Sequence, residues 1–317
     1  MKKRTVISLI VAASLMIAGI AIFAGVMTML KWDFKNLSTV KYETNEYTVD
    51  TSFADIVISD TAADISFILY DGEGCKVVCL EDTRFPHTVA VDGTTLTVSA
   101  SQEKKWYHNV GISLDTPKIS VYLPESEYSS LFINVSTGDV EIPSGFHFGE
   151  AKISLSTGEL CFNASAGELL IDMTTGDCTI SGVSAGKIDV KITTGDIKLE
   201  GVECAIDIKA SLSTGECELE SVRCQGLYSN GTTGDISLKD VIAEQVISIQ
   251  RNTGDVELQG ADANEIYVKT TSGSVEGFLF SEKIFSAHST TGSVSVPSSS
   301  QGGICEIHTT TGNIEIK

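Results

Sequence analysis

Acidic side chains recur at one position of a repeated four-residue motif, and a row of carboxylates could bind calcium. The motif, as in Thr193-Thr194-Gly195-Asp196, places an acid after the glycine. The acids in consecutive repeats are Asp139, Glu159, Asp177, Asp196, Glu216, Asp235 and Asp255. Like charges stacked about 5 Å apart repel each other, and Ca²⁺ with its preference for oxygen ligands would relieve that repulsion. We therefore consider Asp177, Asp196, Glu216, Asp235 and Asp255 as calcium ligands. The alternative is that solvent and salt screen an exposed column.

Two histidines occupy equivalent positions of neighbouring repeats. His288 and His308 both lie four residues before a motif glycine, so we expect them to stack on one outward face. Two imidazoles at that spacing could hold a transition metal such as zinc or copper. The alternative is an ordinary solvated surface. His87 and His147 fall in irregular regions, where the sequence indicates no constellation around them.

Two of the eight cysteines could form a disulfide. Cys204 and Cys224 each lie nine residues after their glycine on adjacent repeats. A stacking distance of about 4.8 Å falls within the Cα range of a disulfide. The alternative is a tight inward position that requires a small residue, because other repeats place Ala185 and Ala243 there.

The elements that must position these residues follow from the spacing of the motif. Its glycines recur at intervals of 18 to 20 residues, at Gly138, Gly158, Gly176, Gly195, Gly215, Gly234, Gly254, Gly273, Gly292 and Gly312. A fixed period of that length is typical of a solenoid, in which each repeat packs on its neighbours. Glycine supplies a positive φ at a turn without steric cost. The glycines are therefore predicted to be the structural turns.

Apolar residues alternate on both sides of each glycine, with the period of two that β-strands require. The columns seven and five residues before it are mostly Ile, Leu or Val, as at Ile188 and Val190. The columns two and four residues after it are also apolar, as at Ile197 and Leu199. The sequence thus predicts an all-β, single-stranded parallel β-solenoid of about ten coils of 19–20 residues, stacked in sequence order, with a capping and hairpin region.

The N-terminal segment is predicted to anchor the chain in a membrane. Residues 5–30 contain no charged side chain and follow the basic triplet Lys2-Lys3-Arg4. About 20 apolar residues suffice to span the bilayer, and the basic triplet favours a cytoplasmic N-terminus. A cleaved signal peptide, with its cleavage site after Ala24, is the alternative. We expect no catalytic residues and no cofactor.

The predicted domains are a cytoplasmic stub (1–4), a transmembrane signal anchor (5–30), a linker (31–45), an N-terminal cap with irregular first coils (46–130) and the regular repeats (131–317). Ala54–Ile58 and Ala63–Phe67 look like two degraded copies of the repeat. Alternation on both sides of Asp92-Gly93 predicts a β-hairpin. The net charge of −20 argues against binding to nucleic acid.

The order of these features, from the Asp92-Gly93 hairpin through Ile119–Pro124 to the first Ser136-Thr137-Gly138-Asp139, resembles a bacterial β-strand-repeat family of unknown function whose members are called "putative adhesins". The resemblance implies a cell-envelope β-solenoid, often in Gram-positive bacteria, and brings no established binding or catalytic residues. We therefore expect an extracellular structural or adhesive module that contacts the membrane through its N-terminal helix and binds an envelope protein or glycan. The alternatives are an accessory protein of envelope-stress sensing that binds a membrane partner and a polysaccharide-acting enzyme.

Overall fold

The computed structural model describes residues 3–33, 40–72, 74–100 and 116–317. It begins with one long helix, α1 (Lys3–Met29), which corresponds to the predicted membrane segment. The stretch Ile7–Met29 within it is long and apolar enough to cross a bilayer, with a mean hydropathy of 2.6. The rest of the described chain is made of strands, so the predicted all-β solenoid is confirmed.

Seven strands form the N-terminal part: β1 (Tyr42–Val49), β2 (Asp55–Ala62), β3 (Asp64–Leu69), β4 (Cys75–Asp82), β5 (His87–Asp92), β6 (Thr95–Ala100) and β7 (Lys118–Leu123). Strand β1 pairs antiparallel with β4, and β4 pairs antiparallel with β7. The predicted hairpin is β5–β6, with Asp92 opposite Thr95. Strand β1 begins inside the segment predicted as a linker, because its backbone pairs with the edge of β4.

Most regular coils have a longer strand before the glycine corner and a shorter strand after it. The strands are β8 (Glu127–Thr137), β9 (Val140–Ile142), β10 (His147–Thr157), β11 (Leu160–Phe162), β12 (Ser165–Thr175), β13 (Cys178–Ser181), β14 (Ser184–Thr194), β15 (Ile197–Glu200), β16 (Glu203–Cys204), β17 (Asp207–Thr214), β18 (Cys217–Thr233), β19 (Ile236–Thr253), β20 (Val256–Asp262), β21 (Glu265–Ser272), β22 (Val275–Leu279), β23 (Lys283–Thr291), β24 (Val294–Ser295), β25 (Gly303–Thr311) and β26 (Ile314–Ile316). Strands β18 and β19 differ, because each runs continuously from one corner to the next. Strands of neighbouring coils pair in parallel, with like positions opposite each other, as Ile188 is with Ile208.

The solenoid begins before the first glycine motif. Strand β2 pairs in parallel with β8 on one side and β6 on the other, and β3 likewise lies between β9 and β7. The segments predicted as two degraded repeats are thus the two strands of one coil. Ala63 occupies the corner where later coils have glycine, and its carbonyl lies against Gly138.

The last three coils do not stack in sequence order, which corrects the sequential stacking expected from the repeat. Strand β21 pairs with β25, and β25 pairs with β23. The same order holds for the second strands, where β26 lies between β22 and β24. The C-terminal coil is therefore inserted between its two predecessors, and the coil of β23 and β24 forms the end of the stack.

The glycine corners are required both by backbone conformation and by close packing. At Gly195 φ is +132°, in the region that favours glycine. A Cβ atom there would lie 2.0 Å from the carbonyl oxygen of Gly176 in the preceding coil. The corresponding glycines of the other coils show positive φ and equally close approaches, so the corners stack backbone against backbone.

Candidate functional site

The acidic column forms a hydrogen-bonded ladder along the glycine corners. Oδ1 of Asp177 accepts the backbone N–H of Asp196 at 2.8 Å, and Oδ1 of Asp196 accepts that of Glu216 at 2.7 Å. The same bond runs from Glu159 N to Asp139, from Asp255 N to Asp235 and from Ser274 N to Asp255. One oxygen of each aspartate thus stabilises the next corner, and binding of calcium to this column stays a prediction.

The ladder explains why aspartate predominates in this column. Its short side chain reaches the next backbone N–H, which the longer Glu159 and Glu216 do not do in the described coils. Near the C-terminus other short acceptors replace it: Ser274 Oγ accepts from Asn313 N at 3.2 Å, and Asn313 Oδ1 accepts from Ser293 N at 3.0 Å. The corner acids therefore have a structural role that needs no cation.

The histidine pair is brought together as predicted from the spacing. His288 lies opposite His308 on adjacent strands, with ring centroids 6.3 Å apart. The inserted C-terminal coil places Lys269 opposite the other side of His308. The positive charge of Lys269 would repel a metal ion bound at the pair, and exposure of the pair to water weakens this repulsion. A transition metal at this pair stays a prediction.

Cys204 and Cys224 lie in equivalent positions of adjacent coils, and both thiols are free and buried. The Cys204 thiol donates to the carbonyl oxygens of Gly186 and Asp207, at 3.5 and 3.4 Å. Burial raises the pKa of both thiols, that of Cys224 to about 12. A disulfide between them stays a prediction.

A buried group of ionisable side chains lies in the N-terminal part, where the sequence indicates no constellation. His87 is held between two carboxylates: its Nε2 lies 2.7 Å from Oδ2 of Asp60, and its Nδ1 contacts Oε2 of Glu81. The side chains of His87, Asp60 and Glu81 are only 4 %, 3 % and 1 % exposed. Ligand atoms of Cys79, Glu81 and His87 lie within 4.8 Å of one another. We call Asp60, Cys79, Glu81 and His87 the cap cluster.

Strand β1 completes the hydrogen bonding of Glu81. Its Oε1 accepts from Asn45 Nδ2 at 2.6 Å and from Tyr47 Oη at 3.0 Å. Its Oε2 accepts the backbone N–H of His87 at 2.6 Å in addition to the imidazole. The carboxylate is thus bonded from β1 and β5 while it lies on β4, and His87 extends the connection to Asp60 on β2.

The cap cluster should make stability depend on pH. Burial alone would lower the pKa of His87, but its bonds to Asp60, Cys79 and Glu81 raise it to about 10 from 6.5. Burial alone would raise the pKa of Glu81, but donors from Asn45, His87 and Tyr47 lower it below 4.5. A histidine whose pKa is raised by folding stabilises the folded protein fully below its pKa in the unfolded chain, and this contribution is lost as pH rises. An acid whose pKa is lowered by folding stabilises the folded protein fully above its pKa in the unfolded chain, and this contribution is lost as pH falls.

We therefore expect the cluster to stabilise the protein most between pH 4.5 and 6.5. The Tm difference between the wild type and His87→Gln should shrink as pH rises from 6.5 towards 10, because the imidazole of the unfolded chain loses its proton in this range while the folded one retains it, which favours unfolding. Thermal melts of both proteins across this range measure the difference. A His147→Gln variant, altered at an exposed histidine, is the control. A difference that stays constant with pH would contradict the expectation.

Arg251 is a cation buried within the regular coils. Arg251 is 4 % exposed and points inward at the position where a neighbouring coil has Gly231. Its Nη1 donates to the carbonyl oxygen of Gln250 at 3.1 Å and its Nη2 to Ser229 Oγ at 2.9 Å. A Cβ on Gly231 would lie 2.7 Å from Nη1, so this glycine makes room for the guanidinium. Burial lowers the pKa of Arg251.

The two ends of the solenoid differ in how they are covered. At the N-terminal end β1, β4 and β5 lie antiparallel across the first coil. At the other end β23 pairs on one side only among the described strands. Large apolar side chains remain exposed in and beside this end coil, at Phe278, Phe280, Ile284, Val294 and Ile304. This end therefore presents an unpaired, partly apolar strand edge.

Comparison with solved structures finds proteins that resemble this chain. A crystal structure named a putative adhesin from Bacteroides fragilis covers 87 % of this chain and 97 % of its own, at 17 % identity and a TM-score of 0.39. A putative adhesin from Parabacteroides distasonis covers 75 % and 98 %, at 13 % identity and a TM-score of 0.45. A putative lipid binding protein from the same species covers 76 % and 95 %, at 16 % identity and a TM-score of 0.30.

At these identities and TM-scores the likeness carries no conclusion about the activity of this chain. No curated protein matches the chain. The family model described as Toastrack DUF4097 matches residues 53–211 and again 205–317, which together span most of the cap and all the regular coils. By this match over most of its length, the chain belongs to the Toastrack DUF4097 family.

Proposed function

We propose that this protein is a membrane-anchored structural or adhesive module of the cell envelope that binds a second copy of itself through the open end of its solenoid. The apolar helix α1 supports the anchor, and the basic residues before it favour a cytoplasmic N-terminus with the solenoid outside. We propose no catalytic role, because the regular corners use their acids in backbone bonding and no nucleophile–base pair accompanies them.

The observation that carries the proposal is the unpaired edge of β23. Exposed strand edges are templates for pairing with another chain, and proteins commonly protect them with charges, proline or a covering segment. From Ile284 to Thr291 this strand contains neither an acidic residue nor proline, although the chain carries a net charge of −20. The N-terminal end of the stack, by contrast, is covered by antiparallel strands.

A second copy fits this edge for reasons of symmetry and charge. A two-fold axis beside β23 would pair the strand antiparallel with its own copy, which gives a closed, self-complementary interface. Most other surfaces of so acidic a molecule would repel a second copy. The absence of acids on this strand removes that repulsion where the two copies would meet, and Ile284 and Val294 supply apolar contact.

Replacement of Ile284 by lysine tests the proposal. Ile284 is 44 % exposed at the open end, and Ile206, at 50 %, is exposed on a middle coil. We expect Ile284→Lys to weaken self-association of the full chain in detergent micelles by about tenfold or more, because it buries a charge in the interface. The matched control Ile206→Lys should leave association unchanged. Sedimentation and chemical cross-linking measure both variants. A monomeric wild type, or a dimer equally insensitive to both substitutions, would overturn the proposal.

A further inference from the structure

We propose that Cys79, Glu81 and His87 of the cap cluster bind a divalent transition metal of the Zn²⁺ type. A thiolate sulfur, an imidazole nitrogen and a carboxylate oxygen are the ligands that zinc takes in proteins. Their ligand atoms already lie within 4.8 Å of one another, and all three residues are buried. Among the residues that the structure describes, no other group of three such ligands converges in this way.

The topology explains how the ligands meet. Cys79 and Glu81 are two residues apart on β4, so their side chains lie on the same inward face of the strand. His87 is the first residue of β5, and its ring turns back towards that face to contact Glu81. The ligands thus come from two strands that the intervening turn holds together.

Asp60 supplies the outer partner that a metal-bound histidine needs. Such a histidine usually donates its second ring N–H to a carboxylate, which fixes the tautomer and the ring orientation. Oδ2 of Asp60 lies 2.7 Å from His87 Nε2, and Oδ1 of Asp60 accepts the backbone N–H of Ala62 at 2.7 Å. Asp60 is therefore a positioning residue that leaves Nδ1 to face the metal.

The carboxylate of Glu81 is similarly oriented. Asn45 and Tyr47 both donate to Oε1 and so direct Oε2 towards His87. Nδ1 and Oε2 contact each other directly, so the imidazole and the carboxylate move apart when a metal binds to both at about 2.0 Å. A metal bound there would tie the cap strands β4 and β5 to Asp60 on β2, which belongs to the solenoid stack.

Zinc binds the thiolate form of cysteine and the neutral form of histidine, so a metal that enters this site displaces protons from its ligands. The displaced protons offset the charge that the dication brings, which reduces the cost of burying a charge.

Cobalt titration of the full chain in detergent micelles tests the site, with a thiol-free reductant present. All proteins carry Cys161→Ser, because Cys161 is the exposed thiol. We expect about one Co²⁺ per chain, a near-ultraviolet thiolate-to-cobalt absorption band and release of protons to the buffer. Cys79→Ser and His87→Gln should remove the band. Asp60→Asn should weaken binding by about 10–100-fold while the band remains.

Two control variants make the outcome specific. Cys75→Ser changes a buried thiol on the same face of β4 and should retain the band. His308→Gln removes the exposed histidine pair as a competing site and should also retain it. Far-ultraviolet circular dichroism verifies that each variant is folded. A parent protein without the band, a band that survives Cys79→Ser, or binding that is lost only in His308→Gln would each overturn the proposal.

Discussion

Gly195→Ala is expected to destabilise the solenoid by about 3 kcal/mol or more, since it combines backbone strain with overpacking. The new Cβ would lie 2.0 Å from the carbonyl oxygen of Gly176, and the φ of +132° is one that L-residues rarely adopt. Neither atom belongs to a flexible side chain, so the two coils must separate to relieve the contact. Urea unfolding of the full chain, followed by circular dichroism, measures the loss.

Gly182→Ala is the matched control for backbone conformation. Gly182 also has a positive φ, +64°, but no atom lies within 4 Å of a Cβ built there. We expect it to cost only about 1–2 kcal/mol, the usual penalty for a left-handed residue. The difference between the two variants isolates the close approach of stacked corners. Equal losses would show that the corner glycines serve only backbone conformation.

The regular coil could be predicted from sequence because each of its features repeats. One glycine at a turn is weak evidence, but alignment of the repeats shows which columns face inward, as with Ile188, Val190 and Ile197. The hydrogen-bonding role of the corner acids could not be predicted from the aligned columns. The bond from the Asp177 carboxylate to the N–H of Asp196 joins two coils, so it becomes visible only when the stacking is known.

The same repetition that makes the coil predictable hides the stacking order of the last three coils. All coils present similar columns, so by sequence pattern the strand at Ile266 could pair equally well with the one at Ile284 or the one at Ile304. The periodic columns therefore do not specify the stacking sequence. Neighbouring coils in a solenoid are interchangeable in this sense, since each contributes the same interface.

The cap cluster lay outside the repeat, and its residues are far apart in sequence. Asp60, Glu81 and His87 come from three strands, of which β4 pairs antiparallel rather than in the solenoid direction. One signal was nevertheless present. Cys75, Val77 and Cys79 mark the inward face of β4 by alternation, and Glu81 continues that series. A carboxylate in an inward position needs partners, which is an indication of a buried polar site.

Glu81→Ala is the second substitution with a large expected effect, a loss of roughly 3–5 kcal/mol, as is typical when one member of a buried ion pair is removed. It would leave Asn45 Nδ2, Tyr47 Oη and the backbone N–H of His87 without their acceptor. The buried imidazolium would keep only Asp60 as a counter-charge. Glu203→Ala, which removes an exposed carboxylate, should change stability by less than about 0.5 kcal/mol.

A double-mutant cycle separates the ion pair from the loss of packing. Once Glu81 is alanine, His87 keeps only one of its two carboxylate partners, Asp60, so a further His87→Gln should cost less than it does in the wild type. We expect a coupling energy of about 1–3 kcal/mol near pH 6, the range found for residues in one buried network. The coupling should fall as pH rises towards 10, where His87 loses its proton. Additive losses of stability at pH 6 would mean that the cap is held by packing alone. If the ion pair stabilises the cap, removal of Glu81 must reduce the stability that His87 contributes.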